Sequence, residues 1–109
     1  MYVSKNLVEA VLGLEGELDH VKEEFGYLSI IVDSSIIHKI NIFEFVFKHC
    51  KAWASSKKIE IDSGITIIDK KGYAEVVCFD YAPFRSETFY SDSELVAVLI
   101  GCEWILNNR

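Results

Sequence analysis

Proline occurs once in the 109 residues, at Pro83, and no repeat, low-complexity tract or linker interrupts the chain. Nothing marks a division, so a single compact domain over residues 1–109 is expected. No apolar run approaches the roughly 20 residues that a membrane span requires, and the N-terminus lacks the charged, apolar and small-residue layout of a signal peptide. Cysteine is scarce as well. Cys50, Cys78 and Cys102 are odd in number, far apart and placed inside expected helices or strands, which excludes a disulfide-stapled secreted scaffold and favours reduced core thiols. A cytoplasmic location follows as the expectation.

Catalytic signatures are also missing. None of the 6 glycines falls in a phosphate-cradling pattern, and there is no nucleophile elbow. His20, His38 and His49 are not spaced as metal ligands with a cysteine or with one another. Asp33, Asp62, Asp69 and Asp80 lie near expected strand ends, where aspartate serves turns more often than divalent ions. No catalytic, cofactor-binding or metal-ligating residue is therefore assigned, and the protein is read as non-enzymatic.

What is present is a chain 50% hydrophobic, with 17 acidic residues against 11 basic ones and a net charge of −6. Such an acidic total argues against nucleic-acid binding, which depends largely on neutralising phosphates. The charge is uneven: residues 1–25 carry −4, 26–58 carry +3, 59–80 carry −3 and 81–109 carry −2. Complementary segments suggest pairing within the fold or between two copies, so a homodimer stays open.

The clearest element is a hairpin from Ile65 to Tyr81. Ile65 to Ile68 are all β-branched, Tyr73 and Val76 to Phe79 supply the second run, and Asp69 to Gly72 link them. Two strands alone bury too little to stand in water, so other elements must cover them.

Lys5 to Phe25 reads as a first helix, because Leu7, Val11, Leu14, Leu18, Val21 and Phe25 recur at steps of four and three. Ser4 suits its start and Gly26 its end, while Gly13 and Gly16 are places where it could bend or break. Tyr27 to Val32 reads as a strand, and Ile36 to Ile40 as an edge strand or a helix lead-in. Asn41 with Glu44, and Ile40 with Phe45, form the capping-box and staple pattern of a second helix running to about Ser56. Ile59 to Ile61 would complete a β–α–β crossover. A short edge strand over Glu87 to Tyr90 precedes a closing helix, for which Ser91 with Glu94 and Tyr90 with Leu95 repeat the box and staple. The fold class expected is α+β, with a mostly antiparallel, mixed sheet of about four strands packed by three helices.

Two surfaces stand out. The first helix is acidic, with Glu9, Glu15, Asp19 and Glu23. On the second hairpin strand, Tyr73, Glu75, Val77, Phe79 and Tyr81 share one face, and Ala74, Val76 and Cys78 the other. The first of these faces suits either a second covered side of the sheet or an aromatic patch for a partner. The candidate partner surface comprises Glu9, Glu15, Asp19, Glu23, Tyr73, Glu75, Phe79 and Tyr81.

The segments CKAWASSKK at 50–58 and ETFYSDSELVAVLIGCEWILNNR at 87–109, through Trp53, Ala54, Glu94, Cys102, Trp104, Ile105 and Leu106, resemble small phage and prophage proteins of unknown function. The resemblance implies a mobile-element protein of a bacterial cytoplasm and transfers no catalytic residue. The functional expectation is a small acidic module that binds another protein. One alternative is an inhibitor or immunity protein that offers carboxylates to a nucleic-acid-handling enzyme. Another is a small ligand- or metal-binding enzyme using strand-end aspartates and His38 or His49.

Overall fold

The computed structural model describes residues 3–56, 63–81 and 84–108, with the side chains at 63–65, 69, 79–81, 84 and 85 outside the described set. The expected strand at Ile59 to Ile61 lies outside the described residues. Ser4 caps the first helix, α1 (Lys5–Leu12), by accepting the amide of Leu7 at 3.1 Å.

The helix does not continue to Phe25. Gly13 adopts φ +69° and its N–H bonds back to the Glu9 carbonyl, so the glycine that was expected to weaken the helix ends it. The continued three-and-four spacing is coincidental: Leu18 is buried from a connecting segment, and Val21 lies in β1 (His20–Glu24).

β1 pairs antiparallel with β2 (Tyr27–Val32), which pairs antiparallel with β3 (Ser35–Asn41). Both connections are two-residue turns. Phe25 and Gly26 close the first with φ of +50° and +77°, and Asp33 and Ser34 the second with +50° and +65°. Left-handed φ at both central positions matches the twist of paired strands, which is why so short a link suffices. Gly26 is thus a turn residue and not a helix cap. A bulge between Ile30 and Ile31 leaves Ile37 as the extra residue of β3.

β3 runs directly into the second helix, α2, whose consecutive parts are Ile42–Glu44, a widened π-helical stretch Phe45–Cys50, and Lys51–Ser56. The Asn41 side chain accepts the amides of Phe43 at 2.9 Å and Glu44 at 3.4 Å. That is one half of the expected box; Glu44 turns along the helix to Lys48 at 3.8 Å. Ile40 and Phe45 both join the core.

The hairpin is present as β4 (Ser63–Lys70) and β5 (Tyr73–Tyr81), with Lys70 opposite Tyr73, so only Lys71 and Gly72 form the link expected to span four residues. β6 (Phe84–Ser91) pairs with the other side of β5. The strands therefore form two separate three-stranded antiparallel sheets, β1-β2-β3 and β4-β5-β6, and not one mixed sheet of about four. Because β3 and β4 belong to different sheets, α2 stands between two meanders among the described strands, and the expected β–α–β crossover, which needs Ile59 to Ile61, lies outside the described residues.

The closing helix is α3 (Glu94–Asn107). Its cap is Ser93, which accepts the Val96 amide at 3.3 Å, while Ser91 instead bonds the backbone of Ser93. The staple expected of Tyr90 and Leu95 does not form, since Tyr90 is 66% exposed. Apart from Glu94, Glu103 and Asn107, α3 has no charged or amide side chain, and it buries residues on most of its sides. A helix apolar nearly all round must be enclosed. It packs on β4, β5 and β6, on α1 and on α2.

One continuous core cluster draws on all of these parts, including Leu7, Leu28, Ile30, Phe45, Val76 and Ile105. The extents, 41 × 33 × 17 Å, suit a layer of helices over a layer of sheets. No helix among the described residues is long and apolar enough to cross a membrane.

Candidate interaction surface

The inner face of the β4–β6 sheet is the one carrying Ala74, Val76 and Cys78, all buried beneath α3. Strand alternation then fixes what the opposite face presents. Two rows cross it: Ile68, Glu75 and Tyr90 in one register, and Thr66, Val77 and Thr88 in the next. Tyr73 and Tyr90 meet there with ring centroids 6.1 Å apart and a tilt of 55°.

This face is uncovered among the described residues. Tyr73 is 43% exposed and Ile68 38%, Thr66 and Thr88 are exposed, and Glu75 and Val77 are half-buried by their neighbours. Of its two sequence readings, the solvent-facing one holds for Tyr73, while Glu75 and Val77 lie between the two. The side chains of Phe79 and Tyr81 lie outside the described residues. Tyr90 and Ile68 join the surface without having been singled out. Their signal was available: once β4 and β6 flank β5, alternation puts both beside Glu75.

The acidic half of the expected surface is dispersed. Glu9 is only 9% exposed, accepts the Gly16 amide at 2.8 Å and pairs with Lys5 at 3.8 Å, so it closes the connection after α1 and does not face a partner. Asp19 accepts the Ser34 amide at 2.9 Å and ties down a hairpin turn. Glu23 lies on β1, at the edge of the other sheet, and Glu15 is exposed between α1 and β1. With α1 ending at Leu12, no helical face joins these four residues.

A second apolar exposure lies at the start of the first meander. Phe25 at the turn tip is 97% exposed, and Tyr27 and Phe43 are also exposed near the junction where the Ile42 amide bonds the Gly26 carbonyl at 2.9 Å. Phe43 stacks on Phe47, over which the Lys51 ammonium sits 5.1 Å from the ring centroid.

The three cysteines are free and buried. Cys102 donates to the Cys50 carbonyl at 3.6 Å across the α2–α3 contact. This neighbouring thiol, with burial second, pushes the Cys50 thiol up; burial, with the Glu87 charge behind it, raises Cys78 from 9.0 to about 11. Raised thiol pKa values and full burial suit packing, since a nucleophile needs an accessible thiolate. His20 and His38 are exposed, on β1 and β3, and His49 is half-buried on α2. Asp33 sits at a turn, while Asp62 and the side chains of Asp69 and Asp80 fall outside the described residues. Among the described residues no three His, Cys, Asp or Glu side chains gather where they could hold a metal ion.

Comparisons with family models, curated proteins and solved structures found no match for this chain.

Proposed function

We propose that the protein is a non-enzymatic interaction module that binds another protein through the outer face of the β4–β6 sheet. The observation that carries this reading is the uncovered aromatic and aliphatic patch of Ile68, Tyr73 and Tyr90 on a sheet whose other face is packed by helices. Large aromatic side chains with few rotatable bonds supply much of the affinity at interface centres. Glu75 between Ile68 and Tyr90 gives the patch a charge that restricts which partner fits. The inhibitor alternative requires massed carboxylates, and Glu9, Glu15, Asp19 and Glu23 are spread over α1, the segment after it and β1.

The test is capture of the native partner by wild-type protein and by Tyr73→Ser/Tyr90→Ser, with circular dichroism to verify the fold. The partner should be lost from the double variant and kept by Lys39→Ala, on the other sheet. Equal capture by all three proteins would remove this face from consideration.

A further inference from the structure

A second surface, independent of the outer sheet face, lies where β6 meets α3. β6 is the terminal strand of its sheet, so one of its backbone edges is unpaired among the described strands. Beside it runs an open groove of about 630 Å³. Its floor is apolar, made by Phe89 of β6 and by Val96, Ile100 and Trp104 of α3. Along α3 the lining positions 96, 100, 103 and 107 recur at helical spacing, a stripe about 16 Å long at 1.5 Å per residue. An extended segment of about five residues spans that length.

The ionisable side chains among the described lining residues are Glu87 and Glu103, both carboxylates. Glu103 is held in place by the Ser4 hydroxyl, which donates to Oε1 at 2.5 Å. Glu87 precedes Phe89 by two residues on the same face of β6, and Glu103 follows Val96 and Ile100 along α3. A strand antiparallel to β6 therefore passes the apolar side chain of Phe89 first and the carboxylate of Glu87 two residues later.

We infer that this groove takes an extended, basic segment of another protein as a fourth strand antiparallel to β6. Its apolar side chains cover Phe89, Val96 and Ile100, and a Lys or Arg two residues further on reaches Glu87 and Glu103. Strand addition supplies backbone hydrogen bonds that any sequence can make, and the groove beside the edge then selects side chains. Antiparallel pairing continues the pattern of the sheet and runs the peptide past Phe89 before Glu87. The occupant is thus a segment of the form apolar-x-apolar-x-basic.

The probe is the capped peptide Val-Thr-Leu-Thr-Arg, titrated into ¹⁵N-labelled protein beside an otherwise identical peptide ending in Glu. Saturable shifts should appear at Ile100, at the Trp104 indole and at the β6 amides, with binding roughly five-fold weaker for the Glu peptide. The charge-reversed variant Glu87→Lys, which sets a Lys against the remaining Glu103, should abolish that preference, while Tyr73→Ser should leave it intact, which separates this test from the preceding one. Three results would overturn the inference: no saturable shift with the Arg peptide, equal affinity for both peptides, or concentration-dependent shifts of the same residues in protein alone, which would make a second copy the occupant.

Discussion

From β1 to α2 and again from β4 to α3, the chain passes through the same order: a three-stranded antiparallel meander, then a helix with a polar cap. Cys50 and Cys102 each stand nine residues beyond their helix caps, Asn41 and Ser93, and meet across the contact between the two helices. The two units differ in what their outer sheet faces carry. In the first, Ser29 is buried between Lys22 and Lys39, whose long side chains cover it, while Tyr27 and Ile36, the neighbour of buried Ile31, stay exposed on the same face. In the second, Glu75 and Val77 are flanked by Ile68 and Tyr90 or by threonines, and apolar surface remains in water. Apolar surface thus remains in water on both outer faces, as Tyr27 and Ile36 on the first and as Ile68 with the paired rings of Tyr73 and Tyr90 on the second, and the paired aromatic patch is where a partner is sought.

The helices differ in the same sense. Four residues beyond the cap, α2 has Phe45 and α3 has Ala97, both fully buried. Phe45→Ala should therefore cost about 3–5 kcal/mol. Phe43→Ala, two residues earlier and exposed, should stay within about 0.5 kcal/mol. Chemical denaturation of both variants tests the contrast, and a similar loss for the two would mean that α2 is seated differently.

Both units should lose stability in alkali through their buried thiols, Cys50 in the first and Cys78 in the second. An unfolded thiol ionises near 9.0 whereas that of buried Cys78 holds its proton to about 11, so its stabilisation is complete below pH 9 and declines as pH rises towards 11. The loss should be on the order of 2 kcal/mol. The Cys78→Ala variant should reduce the slope of that part of the profile, leaving the share due to Cys50, and an unchanged slope would show that Cys78 does not contribute.

Removing the caps gives a smaller effect. Asn41→Ala and Ser93→Ala should each cost about 1 kcal/mol, the first more than the second because Asn41 accepts two amides and Ser93 one. Thermal melts that reverse this order would break the comparison. Smallest of all, Phe25→Asn should stabilise the protein by roughly 0.5–1 kcal/mol, since asparagine tolerates the left-handed backbone that phenylalanine resists. A fall in melting temperature would show that Phe25 makes a stabilising contact.

Local signals in the sequence were sufficient for several elements. Tyr27–Val32 stands out because an apolar run is bounded by turn residues, and α2 because Asn41 is an effective cap. The strand β1 was hidden: HVKEE carries little strand preference, and pairing with β2 decides its conformation. The division into two sheets was equally hidden, because it depends on which distant strands pair. Of the candidate surface, alternation alone grouped Tyr73, Glu75 and Val77, whereas their exposure depends on α3 packing against the opposite face. The acidic grouping failed with the long helix that would have supported it. Tyr90 was missed because its place beside Leu95 suggested a staple, and the cap lies instead at Ser93.

The most direct test of the central claim, that the uncovered face of the β4–β6 sheet is where a protein docks, is site-specific photo-crosslinking in the native cell. A photoreactive phenylalanine at position 90 should give a discrete crosslinked protein, and the same residue at position 39, on the outer face of the first sheet, should give none. The reverse pattern, or the same products from both positions, would contradict the account.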